Sequence, residues 1–124
     1  MGKHTEARLR RVNQIQALRR LLEQRVKQWL VELDSNQRAK EEVVERLCRQ
    51  LSRELGKVRV RAGEAQLPGL ADLAGEMAVA VTRPRAADFK VRAMREGMVN
   101  LHKALDEAML QTMSVEFARK RSEA

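Results

Sequence analysis

The chain has 124 residues, 44% hydrophobic but only 2% aromatic, with 34% charged side chains and a formal net charge of +8. That length holds one domain, and so few aromatic rings exclude a core built on them, leaving long helices packed along narrow apolar seams as the expected class. The longest apolar run, MAVAV at Met77 to Val81, is too short to span a bilayer. The single cysteine, Cys48, cannot form an intramolecular disulfide. The basic, polar start shows no signal peptide, so a cytoplasmic location is expected.

In chain order, Leu9, Val12, Ile15, Leu18, Leu22, Val26, Trp29 and Leu33 recur at steps of three and four, which keeps one helix face apolar. Thr5 is the candidate start cap. Two readings fit the polar stretch Asp34 to Glu42: Asp34-Ser35-Asn36 ends one helix and caps the next, or a single helix runs through with a polar patch in its seam. Without Gly or Pro, continuity is preferred. The stripe resumes at Val43, Leu47, Leu51, Leu55 and Val58, flanked by possible i,i+4 pairs of Glu42 with Arg46 and Glu45 with Arg49.

The segment KVRVR, Lys57 to Arg61, alternates like a strand, but the chain offers no second alternating run to pair with it. It is therefore read as the end of a long helix over 5–62, followed by a turn at 63–69 around Pro68-Gly69. A short helix over 70–81 and a return helix over 85–120 complete the expectation, with Thr82 as a cap and Pro84 in a first turn. Val91, Met94, Met98, Leu101, Leu105, Ala108 and Thr112 form the return seam, widened by Met109, Met113 and Phe117, with Gly97 as a weak point. The fold expected is all-α, an elongated antiparallel two-helix coiled-coil hairpin with a short broken helix at the turn.

No spacing points to catalysis. His4 and His102 are far apart, Cys48 has no second thiol, and Asp106 and Glu107 are helix neighbours that point in different directions. Neither a phosphate-binding Gly loop nor a nucleophile elbow is present, so no enzyme activity, cofactor or metal is expected. Met94, Met98, Met109 and Met113 read as seam filler or as an adaptable contact surface. Trp29 is a bulky anchor that suits the seam. Residues 1–66 carry sixteen Lys/Arg against nine Asp/Glu, and residues 67–124 nine against eight, so the first half holds nearly all the excess. That half reads equally as a solvated flank or as a face for an acidic partner.

LRRVNQIQALRRLLEQRVKQWLVELDSNQRAKEEV, Leu9 to Val43, has the leucine spacing and Arg/Gln/Glu texture of the first helix of the type III export stalk proteins. These are the flagellar FliJ proteins and their virulence-system relatives such as YscO. The ending VEFARKRSEA is similar to theirs: Glu116, Phe117, Ala118 and Arg119 match, while Val115 stands where the family has Asp. The resemblance implies a non-catalytic coiled-coil stalk that enters the export ATPase ring and touches the export gate and chaperones. It implies contact residues at Arg10, Arg11, Arg19 and Arg20 and near Phe117; Trp29, Met94 and Met98 join them as candidate protein-binding residues. Two other classes fit the composition: a self-associating helical-bundle adaptor or chaperone, and a basic nucleic-acid-associated protein.

Overall fold

The computed structural model describes the backbone of residues 3–123 and the side chains of residues 5–113. Within them every regular element is helical: α1 (Lys3–Leu21), a π turn (Leu22–Val26), α2 (Lys27–Ser35), α3 (Glu41–Glu64), α4 (Pro68–Thr82) and α5 (Ala87–Glu123). No helix among the described residues is long and apolar enough to cross a membrane.

The helix expected over 5–62 is two helices. It stops at Ser35 and a new one begins at Glu41. The stop is polar. Ser35 Oγ donates to Val31 O at 2.9 Å and Asn36 Nδ2 to Glu32 O at 2.8 Å, so both side chains compete for carbonyls of the last turn. Asn36 leaves helical geometry at φ −108°, ψ 9°, and Lys40 is extended. Turning back lets Val44, Leu47, Leu51, Leu55 and Val58 bury against the first arm. Burial at about 25 cal/mol per Å² outweighs the weak preference of a polar linker for helix. Val44, and not Val43, opens the α3 stripe. Neither expected Glu–Arg pair at the start of α3 closes into an ion pair among the described residues.

α1, the π turn and α2 make one continuous arm, whose buried positions are Ile15, Leu18, Leu22, Val26, Leu30 and Leu33. Each of the three steps of four from Leu18 to Leu30 overruns an α-helical turn by about 40°. The π turn, closed by Lys27 N–H on Leu22 O, takes more residues per turn and winds the stripe back. Leu30 therefore fills the core position expected for Trp29, which is half-buried at the core's edge.

α3 ends in a Schellman motif. Leu67 N–H bonds Ala62 O at 2.8 Å and Gln66 N–H bonds Gly63 O at 3.1 Å, with Gln66 in the left-handed region at φ 58°. Buried Ala62 and Leu67 make the apolar pair that accompanies this motif. Pro68 then starts α4, where its missing N–H costs nothing. Thr82 closes α4 at the C-terminal end, its hydroxyl donating to Ala78 O and Val79 O. Pro84 lies in the connection before α5, outside the first turn expected for it.

Cross-links between elements set the topology. Arg19 on α1 pairs with Asp106 on α5 at 2.6 Å, and Asp34 on α2 pairs with Arg95 on α5 at 2.5 Å. The first arm and α5 are therefore antiparallel. Arg11 donates to Ala65 O and, at 3.5 Å, to Gln66 O, which places the α3–α4 turn beside α1. α4 packs on both α3 and α5. One apolar core runs through all of them, from Ile15 and Leu18 through Leu51 and Leu55 to Leu101 and Leu105.

Candidate interaction surfaces

The two pairs from the first arm to α5 link the longest stretches of helix in the molecule. α5 has 37 residues and is about 55 Å long; the arm from Lys3 to Ser35 is about 50 Å. Toward the end where α1 begins and α5 finishes, Leu9, Leu110 and Met113 are 52%, 64% and 57% exposed. Leu9 and Met113 belong to the apolar spacing of their helices, yet neither is covered. The α3–α4 turn, level with Arg11, marks how far the second pair of helices reaches along the arm.

The residues expected to bind protein separate into different roles. Arg10 and Arg20 are exposed. Arg11 is spent inside the molecule, on the carbonyls that end α3, where a cation also meets the negative end of the helix dipole. Arg19 is taken up by Asp106, and its Nε is buried without a partner. Met94 and Met98 are core residues, 1% and 7% exposed, so in this packing they do not face a partner. Their seam position on α5 turns them toward the other helices. The Phe117 side chain lies outside the described residues.

The remaining candidates for chemistry do not converge. No group of three or more His, Cys, Asp and Glu side chains gathers among the described residues. His102 is half-buried. Cys48 is buried in the core, and burial pushes its thiol above the ordinary value of 9.0; nearby Lys90 pulls it down and Glu45 pushes it up. Such a thiol is a poor nucleophile. Glu54 sits inside α3 with Oε1 3.3 Å from Lys57 Nζ and Oε2 buried without a hydrogen-bond partner.

One surface escaped the reading of the sequence. Arg46, Arg49, Arg53, Lys57 and Arg61 follow at steps of three and four along α3, and all are exposed. The signal lies in the spacing of these five residues, where the overall charge of residues 1–66 and the expected pairing of Arg46 and Arg49 with Glu42 and Glu45 hide it. A shallow trough along this face is lined by Arg53, Gly56, Lys57, Val60 and Arg61, with Glu64 at its end.

The chain matches no protein-family model, no curated protein and no solved structure.

Proposed function

We propose that this chain is a non-catalytic helical adaptor that works by touching other proteins, as a stalk of the type III export class that its sequence resembles. The observation that carries the reading is the pair of long antiparallel arms, tied by Arg19 to Asp106 and by Arg95 to Asp34. In this reading the first arm and α5 are the antiparallel coiled coil, and α3–α4, which connects them in sequence, is a second pair packed alongside. The export ATPase ring takes the end bearing Leu9, Leu110 and Met113, and the export gate and chaperones are further partners. Exposed leucine and methionine at that end supply the apolar contact, and Arg10 and Arg20 a basic rim for an acidic ring lining.

The test is co-elution with a purified hexameric export ATPase under light scattering. The intact chain is expected to join the hexamer at substoichiometric ratio. Leu110→Asp with Met113→Asp, both at exposed positions, is expected to stay folded and lose the complex. An intact chain that neither joins the hexamer nor changes its ATP turnover overturns the stalk reading. The same exposed residues favour one second reading, a self-associating bundle. That reading predicts a mass of two chains without any ATPase present.

A further inference from the structure

We infer that the outer face of α3 is a binding site for the phosphate backbone of double-stranded nucleic acid, without base specificity. The site lies on a different helix from the proposed protein contact and does not rest on the adaptor reading. Arg46, Arg49, Arg53, Lys57 and Arg61 lie within about 120° of one helix face and span about 22 Å of its length. Acidic side chains appear on that face only at its two ends, Glu42 before it and Glu64 after it. Lys57 is partly neutralised by Glu54. Arg46, Arg49, Arg53 and Arg61 make no ion pair among the described residues. Four unneutralised guanidinium groups held in a row repel one another, and an extended anion relieves that repulsion.

The composition of the face selects among anions. A protein partner needs an apolar or aromatic centre that excludes water, and this face offers only Val60, itself 60% exposed. An anionic bilayer needs bulky apolar anchors on the helix, and the same lack applies. Single strands are held by stacking on aromatic rings, of which the face has none. A duplex backbone asks only for cations at regular intervals on an accessible surface, arginine above all because its fork meets phosphate oxygens in pairs. Gly56, whose missing side chain has nothing within 4 Å of it, leaves the middle of the stripe low enough for close approach.

The test is fluorescence anisotropy of a labelled 20-base-pair duplex of arbitrary sequence with the full chain, from 50 to 200 mM salt. Four to five phosphate contacts predict a slope of log K against log salt of about −4, a loss of roughly 10²-fold across that range. Arg46→Gln, Arg49→Gln, Arg53→Gln and Arg61→Gln combined should bring the slope to about −1. Removing the same charge elsewhere, with Arg25→Gln, Arg83→Gln, Arg92→Gln and Lys103→Gln, should change it by less than 1. All eight positions are exposed, and circular dichroism melts verify that both variants fold. Three outcomes overturn the inference: no duplex binding at 50 mM salt, equal loss in the two variants, or displacement of the duplex by poly-glutamate at matched charge. The last assigns the face to an acidic protein.

Discussion

Two single side chains test the core. Cys48 is buried and its thiol is raised by that burial. The folded state therefore keeps its proton at pH values where the unfolded chain has lost it. Its contribution to stability is fully present below 9.0 and falls away as pH rises through the raised folded value. Urea unfolding from pH 7 to 10 should show the intact chain losing stability above pH 9 faster than Cys48→Ala does; parallel curves would contradict the assignment. A thiol reagent at pH 8 should label Cys48 only at the rate of opening. Gly97 is the second case. A methyl group there would come 2.7 Å from Met77 Sδ and 2.8 Å from its Cγ, so α4 and α5 meet through the absence of a side chain. Gly97→Ala gains about 1 kcal/mol of helix propensity but overpacks at a cost of about 1–3 kcal/mol. The expected net effect is destabilisation by about 1 kcal/mol, removed when Met77→Ala is added. A thermal-melt double-mutant cycle measures the coupling, and additive effects would show that Met77 simply moves aside.

At the level of elements, the α3–α4 turn is held twice, by its Schellman bonds and by Arg11 reaching over from α1. Its left-handed position carries Gln66, where the missing Cβ of glycine would relieve strain. Gln66→Gly should stabilise the chain by about 1 kcal/mol, read as a shift of the urea midpoint at constant slope. The seams of these elements were legible in the sequence because helical period is local: Ile15, Leu18, Leu51, Leu55, Leu101 and Leu105 all occupy the expected stripes and the core. The break after Ser35 was legible only as the less favoured of two readings of Asp34 to Glu42. It uses side-chain bonds from Ser35 and Asn36 instead of Gly or Pro, and burial of α3 against a distant surface completes it. The roles of Arg11 and Arg19 were hidden for the same reason, since their partners lie 54 and 87 positions away. Spacing favours the seam for Met94 and Met98 over an adaptable surface, and the packing of α4 against α5 goes with their burial there.

For the whole molecule, the fold-back after Ser35 replaces length with thickness. A helix over 5–62 would make a rod about 85 Å long, whereas the longest element here is α5 at about 55 Å. Small-angle scattering of the monomer should give a maximum dimension of about 60–65 Å. A value near 85 Å would mean that α3 has swung out in line with the first arm. The two ion pairs that tie the arms are partly solvated, with side-chain exposures of 37% and 62% for one and 60% and 38% for the other. They set the register of the arms more than they hold the bundle together, and each contributes at most about 1 kcal/mol. The apolar core is what stabilises this shape, and a partner at the open end would extend that core without rebuilding it.

The π turn in the first arm also decides where the chain can lose a residue. Its buried steps from Leu18 onward run four, four, four and three. Excising Gln24, an exposed residue of that turn, changes them to four, three, four and three, the rhythm of an uninterrupted seam. The shortened arm should stay within about 1 kcal/mol of the parent in a thermal melt, since an ordinary α turn replaces a rare one. Excising Gln16 from α1 instead rotates every later side chain of the arm by about 100° against its neighbours and should abolish cooperative unfolding. Deletion tolerance in the first arm is thus expected at the exposed residues of the π turn, Glu23, Gln24 and Arg25, between buried Leu22 and Val26.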